Sequence, residues 1–285
     1  MIRVDAHQHF WRYRREDYPW MGDGMEVLRR DWLPADLQPL LMRYGFDACI
    51  AVQARQTEAE TDFLLQLAHT HPFVAAVIGW VDLRAEDLES RLTRWHDDKT
   101  LAGFRHLLQD EPDVSAWLSD AAFERGIKAL QSLGYVYEVL VHTTQLATVP
   151  QFCARHDQYW LVLDHLAKPT IGGMGFDAWR KRLQEFTSMR HVLCKLSGLV
   201  TEVRTAQIDP REIERYLDAA LEVFGSTRVM FGSDWPVCLL RAEYVDVYDI
   251  VARWAEQLSL AEQAHLFGDN AVRCYALKTS HARPH

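Results

Sequence analysis

The chain has 285 residues, 48% of them hydrophobic and 25% charged, which is an ordinary globular composition and excludes a disordered or fibrous protein. Its 31 Lys and Arg against 40 Asp and Glu give a net charge of −9, which disfavours a nucleic-acid or anionic-membrane partner. No apolar run approaches the roughly 20 residues that span a bilayer. The length fits either one large α/β barrel or two average domains.

Short apolar runs alternate with longer amphipathic stretches along the chain. Several runs are rich in β-branched and aromatic residues and apolar almost throughout, which is typical of strands covered on both faces. In chain order, the predicted strands span 2–10, 47–54, 74–83, 101–108, 136–143, 159–165, 192–199 and 228–233. The predicted helices span 34–44, 57–70, 86–98, 121–133, 145–156, 176–189, 210–224 and 244–258.

Eight strand–helix units in about 260 residues predict a single (β/α)8 barrel over residues 1–285. Residues 259–285 are then a C-terminal appendage and tail, whose first part packs on the barrel. No linker or low-complexity tract divides the chain. A doubly wound open sheet is the main alternative. It would carry a GxGxxG fingerprint after an early strand, and the sequence has none.

The first predicted strand ends with His7 and His9. Residues two apart on a strand share a face, so both imidazoles are expected to point into the barrel mouth. In a barrel of this kind the catalytic side chains lie at the carboxyl ends of the strands. The pair could hold one metal ion or one substrate oxygen. The alternative is that His7 and His9 are simply two polar residues at a strand end and have no function.

Two further strand ends carry candidate groups. His165 shares a face with two leucines of the sixth predicted strand. It is expected either to be the polar end of a row of inward-facing apolar side chains or to be a structural histidine. Asp234 follows the eighth apolar run, and Pro236 forces the chain out of the sheet. Asp234 could instead cap a helix, but the helical pattern resumes only near Arg241. Taken together, the strand ends predict one pocket around His7, His9, His165 and Asp234.

The motifs that accompany these residues are DAHQHFW at 5–11, YPWM at 18–21, GFRHLLQ at 103–109, LDHLAKP at 163–169, KLSGL at 195–199, FGSDWP at 231–236 and DNAVRCYAL at 269–277. In combination they resemble the amidohydrolase superfamily, and in particular its amidohydrolase-2 branch of lactone hydrolases. Within that branch the sequence is most similar to the L-fuconolactone and L-rhamnonolactone hydrolases of bacterial deoxysugar catabolism.

The resemblance implies a barrel in which His7, His9, His165 and Asp234 form the site. Binuclear members of the superfamily carry a carboxylated lysine after the fourth strand, where this chain has Arg105, whose guanidinium cannot form that bridge. A two-metal site is therefore not expected. Those four residues could hold a single ion such as Zn²⁺, or act directly through hydrogen bonds, since some lactonases of the branch resemble this pattern without metal. No cofactor is strictly required on this interpretation.

Other residues near strand ends are candidates for substrate binding. Arg105 and His106 end the fourth strand and could both donate to lactone oxygens. His142, after the fifth strand, could be a further ligand, a substrate contact or a structural residue. Lys195, inside an apolar run, needs a partner to offset its burial, either a substrate hydroxyl or a carboxylate such as Glu138.

Gln53, at the end of the second strand, and Trp235, beside Asp234, complete the candidates for substrate binding. The long loop over residues 11–32 is rich in aromatic and charged side chains, and is expected either to act as a lid or simply to pack over the barrel.

The resemblance implies hydrolysis of a sugar lactone. For that reaction we expect Asp234 to act as general base on water, and the histidines, or an ion they hold, to polarise the carbonyl. No GxSxG elbow is present, which disfavours an acyl-enzyme. A metal-dependent decarboxylase on the same scaffold is the alternative. A non-enzymatic sugar-acid binding barrel would have lost the acid–base groups that this sequence retains.

The amino terminus does not resemble a signal peptide. The five cysteines are scattered, without CxxC spacing, as expected for free thiols in a cytoplasmic protein. The protein is therefore expected in the cytoplasm. Its expected partner is a small-molecule sugar lactone. The sequence does not specify an oligomeric state.

Overall fold

A computed structural model describes residues 2–278, and its eight strands form one parallel sheet in the order of the chain. The predicted (β/α)8 barrel is confirmed. Each strand is shorter than its apolar run, because the run continues past the last ladder hydrogen bond. The strands are β1 (Val4–Gln8), β2 (Ala48–Val52), β3 (Val74–Gly79), β4 (Leu101–His106), β5 (Val136–Val139), β6 (Leu161–Leu163), β7 (Val192–Leu196) and β8 (Val229–Phe231).

The helices surround this sheet. In the described part of the chain, none of them is both long and apolar enough to cross a bilayer. Through the barrel they are α1 (Pro34–Arg43), α2 (Glu58–Thr70), α3 (Leu88–Thr93), α4 (Val114–Leu118), α5 (Ala121–Ser132), α6 (Val149–Arg155), α7 (Phe176–Leu183), α8 (Pro210–Phe224) and α9 (Tyr244–Ala255). The predicted helix over 145–156 is divided into a 3-10 turn, Thr143–Thr148, and α6. Pro150 has no N–H for a hydrogen bond to the preceding turn, which favours a break in the helix there.

The barrel closes between the end of β1 and the segment that follows β8. The Asp234 backbone N–H donates to the His7 carbonyl at 2.8 Å, and the His9 N–H donates to the Trp235 carbonyl at 2.7 Å. Gln8 and Trp235 form a parallel bridge. The last seam of the barrel is therefore made at the carboxyl ends of the strands, where the candidate catalytic residues lie.

Strand β1 contains a bulge. Asp5 pairs with Cys49 and Gln8 pairs with Ala51, so three steps along β1 match two along β2. Val4 and Ala6 belong to the apolar cluster inside the barrel, and regular alternation from them would turn His7 outward. The extra residue shifts the alternation, so that His7 also faces inward.

The C-terminal segment closes the opposite end of the barrel with α10 (Leu260–Ala264), a π-helical turn (His265–Asp269) and α11 (Asn270–Cys274). Cys274, Tyr275 and Leu277 join the interior cluster beneath the strands. Gly268 lies against the start of the chain so closely that a Cβ there would be 2.0 Å from the Ile2 carbonyl oxygen. Any larger residue at this position would push the segment away from the barrel.

Arg228 joins β8 to its surroundings from a buried position. Its guanidinium donates to six backbone carbonyls, those of Phe186, Thr187, Met189, Val192, Val223 and Phe224. Replacing it with an apolar side chain would leave these buried acceptors without their donor. A charge-assisted buried hydrogen bond contributes about 1.5–3 kcal/mol.

We therefore expect Arg228→Met to lower the free energy of unfolding by about 3 kcal/mol or more in urea titrations. The exposed Arg190→Met serves as control and should change it by less than about 0.5 kcal/mol. Equal midpoints for the two variants would contradict this role of Arg228.

Candidate active site

A cavity of about 360 Å³ opens at the carboxyl ends of the strands. This volume is typical of a small-molecule site. Apolar walls are supplied by residues such as Trp20, Leu107 and Leu140. The ionisable side chains on its wall include His9, Arg105, His165, Lys168, Glu202 and Asp234.

Three predicted residues converge at the base of this cavity. His7 Nε2 lies 3.2 Å from His9 Nε2, and Asp234 Oδ1 lies 3.3 Å from His9 Nε2 and 3.8 Å from His7 Nε2. His9 Nδ1 is 2.8 Å from the Val52 carbonyl oxygen, which can only accept a hydrogen bond. The proton of neutral His9 therefore sits on Nδ1, which leaves the Nε2 lone pair directed at the other two residues.

These three residues fit a single divalent ion. Ligand atoms about 2.0–2.1 Å from a tetrahedral Zn²⁺ are about 3.3 Å from one another, close to the separations observed. The His9–Val52 hydrogen bond is the outer contact that orients a metal-bound imidazole. His165 Nε2 is 4.0 Å from Asp234 Oδ1. Among residues 2–278 it falls in a second group, with His7 and Asp164, so the four predicted ligands do not form one set.

His165 reaches the cavity for a different reason from the one its strand position predicted. Leu161 and Leu163 pack in the outer core between sheet and helices, whereas Val162 faces the barrel interior. The inward row of β6 therefore continues to Asp164, not to His165. His165 enters the cavity because the chain turns left-handed after the strand, with φ of 51° at this residue. Its Nδ1 lies 2.8 Å from Ser197 Oγ.

Gly198 is required behind this imidazole. It has a φ of +65°, which favours glycine, and a Cβ added there would lie 2.6 Å from His165 Nδ1. It would also lie 3.2 Å from Asp234 Oδ2. The glycine of the KLSGL motif thus leaves room for the two groups to approach each other.

Burial and neighbouring charges set the protonation states of the site. Burial lowers the pKa of His165 to about 4, and it also lowers the pKa of His7 and His9. Burial alone would raise the pKa of Asp234, but His165, His9 and Lys168 outweigh it and hold that pKa below its usual value. At neutral pH, the site therefore contains three neutral imidazoles beside an ionised carboxylate.

Arg105 lies on the cavity wall, and a buried carboxylate that the sequence analysis missed holds it there. Its Nη1 donates to Asp164 Oδ2 at 3.0 Å and lies 3.4 Å from His7 Nε2. Burial opposes ionisation of Asp164, but Lys195, His7 and Arg105 hold its pKa well below the usual range. The signal that could have found Asp164 was the alternation of β6, read from Val162 instead of from the leucines.

Lys195 is fully buried beneath the site and does not line the cavity. Its Nζ is 2.6 Å from Glu138 Oε1, 3.1 Å from His7 Nδ1 and 3.5 Å from Asp164 Oδ1. Of the two partners considered for Lys195, the structure contains the carboxylate of Glu138. The structure thus encloses Lys195 among charged groups of the barrel interior, and its assignment to substrate binding stays a prediction.

His106 also lies away from the cavity. Alternation along β4 turns it to the opposite face from Arg105. Its ring stacks on Trp117 with centroids 4.6 Å apart, and its Nε2 is 2.8 Å from Glu111 Oε1. Of the two residues at this strand end, the structure thus places Arg105 on the cavity wall and His106 away from it, and a substrate contact of His106 stays a prediction.

Three other candidates are placed outside the cavity wall as well. Gln53 is buried, and its side-chain amide donates to the Arg105 carbonyl at 3.0 Å. The Trp235 indole is buried against Trp32, with ring centroids 5.1 Å apart. His142 lies on the surface, where β5 has already ended and its backbone N–H donates to Gln145 Oε1. Substrate contacts of these three residues stay predictions.

The loop over residues 11–32 packs over the barrel and also forms part of the cavity wall. Trp20 and Met25 line the cavity, and the Trp20 indole donates to the Ala54 carbonyl at 3.0 Å. The sequence analysis missed Lys168 and Glu202, which line the cavity from the loops after β6 and β7. Loop residues follow no strand periodicity. Lys168 was marked only by its place in the LDHLAKP motif, and Glu202 lies in none of the motifs.

A (β/α)8 barrel that gathers imidazoles and one carboxylate at the carboxyl ends of its strands has the architecture of an amidohydrolase-type barrel. The family model described as amidohydrolase, Amidohydro_2, matches residues 4–277. The chain belongs to this family, which confirms the resemblance seen in its motifs.

Similar proteins extend over nearly the whole chain. It is 54% identical to an L-fucono-1,5-lactonase of Burkholderia multivorans over 97% of this chain and 96% of that protein. It is 36% identical to an L-fucono-1,5-lactonase of Burkholderia ambifaria, again over 97% and 96% of the two chains. A crystal structure of a Burkholderia multivorans amidohydrolase with bound zinc superposes with a TM-score of 0.95 at 54% identity, covering 98% of this chain and 100% of that one.

Metal content tests the ligand group. After incubation with Zn²⁺ and dialysis, we expect about one ion per chain in the unmodified protein, and little in His9→Ala, because two remaining ligands bind a single ion far more weakly. The matched control is His96→Ala, an exposed position, which should retain the ion. Elemental analysis that found equal zinc in both variants would exclude His9 as a ligand.

Proposed function

We propose that this protein hydrolyses the inner ester of a sugar lactone to give the open sugar acid, and that L-fucono-1,5-lactone is its substrate. The support is the identity to two L-fucono-1,5-lactonases over nearly full length, together with a cavity suited to a single sugar ring. The observation that carries the chemistry is the Asp234 carboxylate on the cavity wall, with Oδ1 3.3 Å from His9 Nε2 and 4.0 Å from His165 Nε2.

Asp234 acts as the general base. Its carboxylate accepts a proton from water as the water oxygen bonds to the lactone carbonyl carbon. The protonated Asp234 then returns that proton to the ring oxygen as the ester C–O bond breaks. Water is consumed, the ring opens, and the released acid loses its proton to solvent at neutral pH.

His165 and Arg105 face the substrate from the same wall and polarise the carbonyl. His165 Nδ1 lies 2.8 Å from Ser197 Oγ. We assign His165 the tautomer with its proton on Nε2, in which the Ser197 hydroxyl donates to Nδ1 and Nε2 can donate to the carbonyl oxygen. The Arg105 guanidinium is held in place by its hydrogen bond to Asp164. Preorganised donors of this kind lower the barrier because they need no reorganisation during the reaction.

A divalent ion bound by His7, His9 and Asp234 would supply Lewis-acid polarisation of the carbonyl or of water at the same place. With or without an ion, the orientation of the His7 ring is set by Lys195 and Asp164, which lie beside its Nδ1. His9 is oriented in the same way by the Val52 carbonyl.

Ser197 is a positioning residue in this mechanism. It touches His165, but it is 2% exposed and does not line the cavity, so its oxygen cannot reach a bound ester. A covalent acyl-enzyme is therefore disfavoured, in agreement with the lack of a nucleophile elbow in the sequence.

The same proposal places the protein in the cytoplasm, because its five cysteines are free and buried. A decarboxylase reaction on the same scaffold is less favoured, because the relatives that match the chain almost end to end carry the name of lactonases.

Replacing the base tests the mechanism. Asp234→Asn keeps the shape of the side chain but cannot accept a proton. The value of kcat for L-fucono-1,5-lactone should therefore fall by about 10²–10⁴-fold. Proton release, corrected for spontaneous hydrolysis, measures the rate. The exposed Asp177→Asn is the matched control and should leave it unchanged. Normal turnover by Asp234→Asn would show that another group is the base.

A substrate panel separates the two reactions. The protein is expected to open L-fucono-1,5-lactone faster than five-membered aldonolactones, and to release no CO₂ from carboxylated aromatics. Each assay is run with and without a chelator. Full activity on sugar lactones after chelation would exclude the metal-dependent decarboxylase, whereas CO₂ release without any lactone opening would overturn the proposed function.

A further inference from the structure

Four consecutive non-glycine residues after β6 adopt left-handed backbone conformations. His165, Leu166, Ala167 and Lys168 have φ values of 51°, 52°, 57° and 48°. Each such residue costs on the order of 1 kcal/mol or more, and such segments persist only where the surroundings enforce them. We call residues 165–168 the left-handed turn.

Two side chains from other elements hold the left-handed turn. The Trp179 indole N–H donates to the Leu166 carbonyl at 2.8 Å. The Thr143 hydroxyl lies 2.8 Å and 2.9 Å from the carbonyl oxygens of Ala167 and Lys168 and donates to them. The carbonyls of the turn are thus satisfied without a regular helix. The consequence is that both His165 and Lys168 line the cavity, although they are three positions apart.

The Lys168 ammonium differs from the other buried or half-buried cations of the barrel. Arg105 and Lys195 are each paired with a carboxylate. Within residues 2–278, the Lys168 side chain has no carboxylate within salt-bridge distance and no hydrogen-bond acceptor, although it is half-buried on the cavity wall. A half-buried cation without a partner can form an ion pair with an anionic ligand.

Lys168 also lies close enough to the reacting groups to affect them. Its charge contributes to the lowered pKa values of Asp234 and of His165, in each case after the effects of burial and of nearer groups. Glu202, on the same wall, has a pKa that burial raises and Lys168 partly lowers. Lys168, Asp234 and His165 line the same cavity, so one small ligand bound there can contact all three.

We propose that Lys168 is a catalytic residue that stabilises the negative charge on the lactone carbonyl oxygen during attack by water, and then binds the carboxylate of the opened acid. The inference rests on the proposed function. A sugar lactone is neutral, whereas the tetrahedral intermediate and the product each carry one negative charge on oxygens derived from the carbonyl and water. An unpartnered cation at this place favours the charged states over the neutral substrate, which is the condition for lowering the barrier.

The test compares Lys168→Met with the exposed Lys181→Met on α7. We expect kcat for L-fucono-1,5-lactone to fall about 10²–10³-fold in Lys168→Met, with a smaller change in KM, and to stay unchanged in Lys181→Met. Lys168→Arg retains the charge and should recover part of kcat. Lys168→Gln keeps a polar side chain without charge, and replaces Lys168→Met if that variant does not fold.

Product binding provides a second measurement. Inhibition by L-fuconate, the open acid, should weaken about tenfold or more in Lys168→Met, whereas inhibition by the neutral alditol L-fucitol should not change. Retention of kcat within twofold, or equal loss of affinity for the acid and the alditol, would overturn the inference.

The two proposals can fail separately. If the unmodified protein opens no sugar lactone, the proposed function fails, but calorimetric titration with L-fuconate and L-fucitol still tests Lys168. Preference for the acid that disappears in Lys168→Met supports an anion-binding Lys168, and absence of that preference in the unmodified protein overturns it.

Discussion

The site depends on the way in which the barrel closes. The first strand meets the chain that leaves the last strand through backbone hydrogen bonds from Asp234 to His7 and from His9 to Trp235. A buried carboxylate, that of Asp5, supports this seam, since it accepts from the Ser233 N–H at 2.9 Å and the Tyr244 hydroxyl at 3.2 Å. Burial raises the pKa of Asp5 to about 6. The residues that close the barrel are thus neighbours of those that carry its chemistry.

Below the seam, opposite charges fill the space that apolar residues fill elsewhere in the barrel. Lys195 pairs with both Glu138 and Asp164, Arg105 pairs with Asp164, and all four are buried. Isolated charges at this depth would be very costly, and only mutual pairing makes them tolerable. The pairing also presents two charged contacts to Nδ1 of His7, one from Lys195 and one from Asp164.

The C-terminal segment is connected to this buried group. The Tyr275 hydroxyl donates to Glu138 Oε1 at 2.6 Å, and burial raises the pKa of Glu138 to about 7. The segment therefore does more than cover apolar surface, since it supplies a donor to the carboxylate that holds Lys195. Contacts run without interruption from the closed end of the barrel, through Glu138 and Lys195, to the imidazole of His7 at the open end.

Local patterns in the sequence were sufficient for the architecture and for much of the site. Eight apolar runs separated by amphipathic stretches predicted the barrel, because burial on both faces of a parallel strand leaves a signal in composition alone. The HxH pair and the aspartate after the eighth strand were found because a barrel places its reactive groups at strand ends. Alternation along β4 was also enough to separate Arg105 from His106, although both were expected at the substrate.

Tertiary structure decided which way the side chains turn where alternation is interrupted. A bulge in β1 brings His7 inward after Ala6, and a left-handed turn after β6 brings in His165 and Lys168 while the strand itself presents Asp164. Both departures are held by partners far away in sequence, such as Trp179 and Thr143 around the turn. A periodic pattern reports the regular conformation of a segment, whereas a bulge or a strained turn is stable only because of contacts that form once the chain has folded.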